Sequence, residues 1–280
     1  MKLRFAAAIL VLVLVPSALF AAEGTFDKTL PVNGTATLKV STGSGYIHIT
    51  PGPDGSIHII GHVHSSNGWF SGSPEENVHR VTSNPPITQS GNNVEVGQHT
   101  HYHDVSIDYV ITVPRGTSVN AAAGSGDINI SNLGAPLRAA TGSGTIEAND
   151  LTGQVDLNAG SGDIRAMMNR ADHVRVGTGS GNIDLTGVTG GLYAEAGSGD
   201  IKVGGDPGSG WKIVTGSGSV TLSTGNSRYT VDASTGSGDV RSDPPLVPRG
   251  NSNPHHVIGD IYGGGPTVKV QTGSGNIRIR

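Results

Sequence analysis

Nine copies of the tripeptide Gly-Ser-Gly form a series along this chain, and their spacing constrains the fold more than any other sequence feature; a tenth copy, at Gly208, lies outside the series. From Gly124 onward, successive copies begin 18, 18, 19, 18, 19, 20 and 37 residues apart. A fixed period in this range is typical of repeat proteins, in which each unit stacks on its neighbours. The last interval is close to two periods, so we expect a coil near Asn253–Gly264 that has lost its triplet and keeps a remnant at Gly259–Ile261.

The residues around each triplet alternate between apolar and polar. The second residue after every triplet of the series is Ile or Val, the fourth is usually apolar, and a polar residue stands between them. The fifth and third residues before most triplets are apolar as well. Period two indicates a strand with one buried face and excludes a helix at these positions. The second-position residues are Ile47, Ile128, Ile146, Ile164, Ile183, Ile201, Val220, Val240 and Ile277.

Each repeat therefore predicts a strand, a Gly-Ser-Gly turn, a strand and a second turn. We expect glycine at the turn because it permits the positive φ values of a sharp corner. Such a strand pair cannot bury its apolar face alone, but stacked coils place Ile over Ile in a continuous core. The prediction is an all-β protein, a β-solenoid of 18–20-residue coils, in which seven coils span roughly 34 Å. The low aromatic content of 4% fits a thin core of this kind.

Three segments are predicted along the chain. Residues 1–22 have the features of an export signal, with Lys2 and Arg4 ahead of the apolar run Phe5–Val15, which is too short for a membrane span. Residues 23–118 form an irregular N-terminal β region that caps the solenoid, with a loop from Ser65 to Pro86. Residues 119–280 form the regular β-solenoid.

The export signal predicts a secreted, periplasmic or cell-surface protein with no membrane span after cleavage. The chain has no cysteine, which excludes a lipid anchor, disulfides and thiol chemistry. Removal of Lys2 and Arg4 leaves 16 basic and 22 acidic residues, a net charge of −6. Because nucleic-acid-binding surfaces are normally basic, this balance argues against a nucleic-acid partner.

A Val-Pro-Arg-Gly step followed by regular Gly-Ser-Gly-Asp-Ile coils resembles the DUF4097 adhesin-type family of bacterial β-solenoid proteins. The resemblance covers about Leu38 to Arg280. It implies a secreted or envelope β-solenoid and supplies no catalytic residues. The matching segments are Ile111–Gly116, Gly124–Ile128, Gly160–Ile164, Gly197–Ile201 and Gly236–Val240.

Histidines are concentrated in the N-terminal region. His62 and His64 alternate along one predicted strand, and His99, His101 and His103 along another, so each set projects from one strand face. If these strands pair, the imidazoles would meet and bind zinc, nickel or copper. The alternative, which we favour, is a solvated strand face, because no ligand spacing matches a known closed site.

Two acidic sets suggest other chemistry. An aspartate follows the triplet in four coils and resembles half of a calcium-binding repeat, but Tyr and Thr occupy the same column elsewhere, which favours turn residues that bond backbone amides. Outward carboxylates on other strands would suit glycoside hydrolysis if they paired, but they are mixed with Arg and Lys. The two sets are Asp127, Asp163, Asp200 and Asp239, and Asp156, Asp184, Glu195 and Asp232.

Trp69 and Phe70 form a large apolar pair in a Gly-, Ser- and Pro-rich segment, which predicts either a ligand contact or a cover for the open end of the solenoid. No cofactor is expected. The prediction is a non-enzymatic, adhesin-like protein that binds a glycan, a cell-surface protein or a second copy of itself through extended strand faces. The alternatives are a β-helix enzyme acting on polysaccharides and a periplasmic metal-binding protein that uses the His-rich region.

Overall fold

The computed structural model describes residues 22–66, 73–97, 104–250 and 253–280. Within these ranges the chain forms strands and a single helix, α1 (Pro74–Ser83). The strands are β1 (Ala22–Pro31), β2 (Thr37–Thr42), β3 (Ile47–Pro51), β4 (Ser56–Ser65), β5 (Ile87–Ser90), β6 (Asn93–Val96), β7 (Val105–Val113), β8 (Ser118–Ala123), β9 (Ile128–Ser131), β10 (Leu137–Thr141), β11 (Ile146–Ala159), β12 (Ile164–Thr178), β13 (Ile183–Val188), β14 (Gly191–Ala196), β15 (Ile201–Gly205), β16 (Trp211–Ser217), β17 (Val220–Ser223), β18 (Tyr229–Ser237), β19 (Val240–Ser242), β20 (Leu246–Pro248), β21 (His256–Ile261), β22 (Thr267–Ser274) and β23 (Ile277–Ile279).

The coils stack as a β-solenoid with two faces. Strands that precede a triplet belong to the front sheet, which β5, β6, β21 and β20 extend at its two ends; its spatial order is β5-β6-β2-β8-β10-β11-β12-β14-β16-β22-β18-β21-β20. Strands that follow a triplet form the back sheet, in the order β1-β4-β7-β3-β9-β11-β12-β13-β15-β17-β23-β19. The long strands β11 and β12 contribute to both faces because their first and second halves pair with different neighbours.

The predicted ladder of stacked apolar residues is confirmed. In the back sheet each second-position residue pairs with its equivalent in the next coil, as Ile128 does with Ile146 and Ile146 with Ile164. Every one of them is fully buried except Val240, in the last coil. Burial of such a side chain is worth roughly 1.5–3 kcal/mol, so repetition of one small contact supplies the core.

The triplet glycines are required by close packing between coils. The expectation that they serve to adopt positive φ values at a sharp corner was wrong for most of them. Of these glycines only Gly238 and Gly275 have φ between +20° and +160°. A Cβ at Gly126 would instead lie 1.7 Å from the carbonyl oxygen of Gly45, and one at Gly162 would lie 1.7 Å from that of Gly144. Each coil therefore rests on the bare backbone of the coil before it, and the triplet recurs because no side chain fits between them.

A buried threonine before the triplet bonds the turn to its neighbour, a role that was not predicted from the sequence. The Thr141 hydroxyl donates to the Gly126 carbonyl of the preceding coil at 2.9 Å and accepts from the Gly144 amide at 3.1 Å. The Thr178 hydroxyl makes the same pair of bonds. The pattern was visible in the sequence, because the residue directly before each triplet of the series is either Thr or Ala. The threonines at this position are Thr42, Thr141, Thr178, Thr215, Thr235 and Thr272.

Thr117 is buried, and its hydroxyl has no hydrogen-bond partner among the described residues. An unsatisfied buried hydroxyl costs about 1–3 kcal/mol, so we expect Thr117→Val to raise the free energy of unfolding by about 1 kcal/mol. Urea denaturation measures the change. Thr141→Val is the matched control, because its hydroxyl makes two bonds, and it should lower stability by about 1–3 kcal/mol. Equal effects of the two substitutions would contradict this explanation.

The C-terminal coil is stacked out of sequence order, and the coil expected at Asn253–Gly264 does not exist. β22 pairs in parallel with both β16 and β18, so the last coil in the sequence lies between two earlier ones. β21 runs antiparallel to β18, and β20 runs antiparallel to β21. The long interval between triplets therefore holds an antiparallel extension that covers the end of the front sheet and adds no coil to the stack.

The N-terminal end has the same irregular order. β2 lies between β6 and β8, while β3 lies between β7 and β9, so the coil Thr37–Pro51 stacks in register on the first regular coils. β1 and β4 extend the back sheet by antiparallel pairing.

The segment expected to be a loop from Ser65 to Pro86 contains α1. The Ser73 side chain accepts from the Glu76 amide, and Pro74 occupies the first turn. These are standard helix-start signals, and the loop prediction overlooked them. Val78 and Val81 of α1 are buried, and a Cβ at Gly24 of β1 would lie 2.5 Å from the Val78 side chain. The helix therefore covers the N-terminal end of the core.

Candidate functional site

The outward residues of the front sheet form one straight row across the coils. Arg138 pairs in register with Asp156, Asp156 with Arg175, and Arg175 with Tyr193. Tyr193 pairs with Lys212, which in turn pairs with Lys269. We call this set the front row. Neighbouring members are about 4.8 Å apart, the spacing of paired strands. The complete row is Glu95, Lys39, Asn120, Arg138, Asp156, Arg175, Tyr193, Lys212, Lys269 and Asp232.

An open groove of about 690 Å³ runs along the front row from Lys39 to Tyr193. The opposite side of the groove is formed by the residues two positions before the front row in each strand, which include Pro136, Gln154 and His173. These three side chains are exposed. Because the groove crosses β2, β8, β10, β11, β12 and β14, an extended ligand would lie along the solenoid axis and contact several coils at once.

The groove is open beside Tyr193 because two coils lack a side chain there. Gly191 and Gly210 both line it. Gly210 has φ of +87°, a left-handed value that favours glycine. Gly191 has no such φ, and a Cβ there would approach nothing closer than His173 Nδ1 at 3.4 Å. Neither backbone strain nor packing therefore requires glycine at position 191, and its effect is to keep the recess open.

Tyr193 stands between two cations. The Arg175 guanidinium lies 5.1 Å from the centre of the Tyr193 ring, and the Lys212 ammonium lies 5.3 Å from it. These are cation–π distances. The Tyr193 hydroxyl donates to Glu195 Oε2 at 2.6 Å, and this bond is the main reason that the pKa of Tyr193 is raised. Arg175 and Lys212 therefore lie on the two strands that flank Tyr193, and both contact its ring.

Arg175 and Lys212 have no carboxylate within 4 Å among the described residues, unlike the other three front-row cations. Arg138 pairs with Asp156 at 3.3 Å, and Lys39 with Glu95 at 2.9 Å. Lys269 lies 4.0 Å from Asp232. The central part of the row therefore presents two cations, one on each side of Tyr193, that have no ion-pair partner among the described residues.

The aspartate column after the triplets is a hydrogen-bonding ladder, which supports the turn-residue interpretation over calcium. Asp127 Oδ1 accepts from the Thr145 amide of the next coil at 2.7 Å, and Asp163 Oδ1 accepts from the Asn182 amide at 2.9 Å. Asp200 does the same for the Ser219 amide at 2.8 Å. No group of three or more potential metal-binding side chains occurs in the described ranges. These carboxylates therefore bind backbone amides of the adjacent coil.

The four carboxylates considered for hydrolysis are not brought together in pairs. Asp184 lies on the back sheet, between Arg165 and Lys202. On the front sheet, Asp156 lies between Arg138 and Arg175. Asp232 contacts His256 at 3.0 Å, and Glu195 accepts from Tyr193. Because glycoside hydrolysis needs two carboxylates flanking one bond, the geometry gives this chemistry no support.

Of the predicted histidine set, His62 and His64 lie on the outer face of β4. His64 Nε2 lies 3.2 Å from Asp108 Oδ2, and His64 Nδ1 lies 3.6 Å from Glu23. His62 contacts the Thr25 hydroxyl at 3.4 Å. His99, His101 and His103 lie outside the described residues, as do Trp69, Phe70 and residues 1–21 of the predicted export signal. The metal site and the Trp69–Phe70 contact therefore stay predictions.

The ends of both sheets are built against strand pairing with another chain. β19 and β20 are three residues long, and Pro244, Pro245 and Pro248 lie in or beside β20. β1 is longer, but it carries the exposed charges of Glu23, Asp27 and Lys28. Short strands, prolines and charges are the usual protection of sheet edges. No helix among the described residues has the length and apolar character needed to cross a membrane.

Stacked coils of this length, capped at both ends, define an all-β solenoid with an open lateral groove. The chain belongs to the Toastrack DUF4097 family, whose profile matches residues 75–280. No curated protein matches it.

The solved structures that are similar to it include the following two. A "putative adhesin" from Bacteroides fragilis NCTC 9343 is 16% identical with a TM-score of 0.47, over 92% of this chain and 97% of that one. A "putative cell adhesion protein" from Clostridium sporogenes ATCC 15579 is 15% identical with a TM-score of 0.30, over 92% and 99%. Neither likeness is close enough to inform the function of this chain.

Proposed function

We propose that this chain is a non-enzymatic, adhesin-like protein of the bacterial envelope that holds a polysaccharide along the groove of its front sheet. The observation that carries the proposal is the open groove beside Tyr193, which Gly191 keeps clear although neither packing nor backbone conformation demands glycine there. The predicted export signal supports a location outside the cytoplasm.

The exposed polar and charged side chains along the groove favour a glycan over a protein partner. The centres of protein interfaces are apolar and depleted in charge. The groove instead presents exposed Asn120, Gln154 and Arg138 side chains, which suit the hydroxyl groups of a sugar. The exposed large apolar residues of the described chain, Tyr46, Met167, Val247 and Tyr262, all lie elsewhere.

The stacking geometry also suits an extended polymer. The groove is open along the solenoid axis and repeats at the strand spacing of about 4.8 Å. This repeat is close to the advance of one sugar unit in an extended polysaccharide. Successive coils would therefore contact successive sugars, which gives affinity through many small contacts without a deep pocket.

Filling the recess should abolish binding while leaving the fold intact. Gly191→Leu places a side chain in the groove beside Tyr193, and the nearest atom to its Cβ leaves room for it. In a binding assay against a panel of acidic and neutral polysaccharides, we expect the wild-type chain to bind at least one and Gly191→Leu to bind it at least ten-fold more weakly. We expect the free energy of unfolding to stay within about 0.5 kcal/mol of wild type.

Thr186→Leu is the matched control, because Thr186 is exposed on β13, in the same coil but on the back sheet. It should bind like wild type. Reducing sugar released from any bound polysaccharide would overturn the non-enzymatic part of the proposal. Absence of binding to every polysaccharide, or equal loss in both variants, would overturn the groove as the binding site.

A further inference from the structure

We propose that the groove selects an acidic polysaccharide, and that Arg175 and Lys212, held apart by Tyr193, bind two of its carboxylate or sulfate groups. This inference rests on the proposed function and names the chemical class of its ligand. The observation behind it is a difference in charge between equivalent positions on the two sheets.

The same three coil positions carry different charge on the two faces. On the back sheet Arg165, Asp184 and Lys202 lie in register on three adjacent strands, so a carboxylate separates the two cations. On the front sheet the corresponding residues are Arg175, Tyr193 and Lys212, so an aromatic ring separates the two cations. Arg165 also pairs with Asp163 at 2.8 Å. The back-sheet positions therefore alternate in charge, whereas the front-sheet positions have no acidic side chain between their two cations.

Tyr193 is a positioning residue in this proposal. Its ring lies about 5 Å from each cation, and its hydroxyl is anchored to Glu195. Arg175 and Lys212 belong to strands two spacings apart, roughly 10 Å. An extended acidic polysaccharide lying along the axis would present negative groups at separations of one or two sugar units, which is the interval between these cations.

The charge of the whole chain makes this local excess informative. The net charge is −4, so the charge of the whole chain would not by itself attract an acidic polymer. Arg175 and Lys212 are both exposed, and Arg donates in a planar fork that matches carboxylate and sulfate groups. An anionic ligand would supply the ion-pair partner that each cation lacks among the described residues.

The test uses polygalacturonate with its carboxyl-reduced counterpart, and dextran sulfate with dextran. We expect the wild-type chain to bind at least one acidic polymer at least ten-fold more tightly than its neutral counterpart, with affinity falling as salt rises. The double variant R175Q/K212Q should lose about ten-fold for each cation removed, near a hundred-fold in total. Tyr193→Asp, which copies the back-sheet arrangement, should weaken binding as well.

The control R165Q/K202Q removes the same charge from the same coil positions on the back sheet and should bind like wild type. Equal loss in the two double variants would overturn the inference, because it would mean non-specific attraction to the whole surface. Binding of neutral and acidic polymers with equal affinity, blocked by Gly191→Leu, would overturn the anion preference while leaving the proposed function standing. Absence of binding to either acidic polymer would overturn the inference as well.

Discussion

Gly162→Ala should cost at least ~4 kcal/mol of the free energy of unfolding, an exceptional value for the addition of one methyl group. The new Cβ would lie 1.7 Å from the Gly144 carbonyl oxygen, a backbone atom that cannot rotate away. To relieve the contact, two coils would have to separate. That movement would break the Ser161-to-Gly142 backbone bond of 2.9 Å and loosen the ladder around Ile164. Urea or thermal denaturation of the purified variant measures the effect.

Gly116→Ala is the control for this prediction. Gly116 has no left-handed φ, and a Cβ there would meet nothing within 4 Å. Since alanine only restricts the unfolded chain at such a site, stability should stay the same or rise by up to about 1 kcal/mol. Similar stability of the two variants would show that the coils can separate at little cost, and the close-packing explanation of the triplet would then be wrong.

Deletion of Thr267–Arg280 should release the whole C-terminal cap and not only the last coil. β22 and β23 separate β16 and β17 from β18 and β19, and they pair with strands on both sides. Without them, Tyr229 and Val231 lose the coil on which their strand is docked. We expect hydrogen exchange to show loss of protection in β18 and β21, while β10 and the second half of β11 keep theirs.

Stacking in sequence order makes the opposite prediction for the same deletion. If β18 followed β16 directly in space, removal of the final residues would leave β18 docked and protected. Lys269→Gln serves as the control, because it lies on the inserted strand and removes only an exposed contact of 4.0 Å with Asp232. It should change stability by less than about 1 kcal/mol. Retained protection of β18 after the deletion would contradict the inserted position of the last coil.

The candidate site was accessible to sequence reasoning only in part. Alternation around the triplets placed Arg138, Arg175 and Lys212 on an outward face, as mixed surface charge. Register between strands then brought Tyr193 between two of these cations, and register depends on how coils stack. The recess at Gly191 was hidden for the same reason, since a glycine in a glycine-rich chain carries no signal until its neighbours are known.

The sequence by itself determined the local structure of this protein. Period-two alternation and the triplet spacing specify strands, turns and a stacked apolar ladder, because side-chain direction in a strand depends only on residue parity. Ser73 to Glu76 likewise specifies the start of α1, although the loop prediction overlooked that signal.

Only the tertiary structure decided the order of the coils and the reason for the triplet. Equivalent coils have nearly identical contact faces, so local sequence cannot say whether β18 or β22 docks on β16. The answer depends on which arrangement also lets β20 and β21 cover the end of the stack. The need for glycine in the triplet also depends on tertiary structure. The carbonyl that excludes a side chain at Gly162 belongs to Gly144, 18 positions earlier, and the two residues come into contact only when the coils pack.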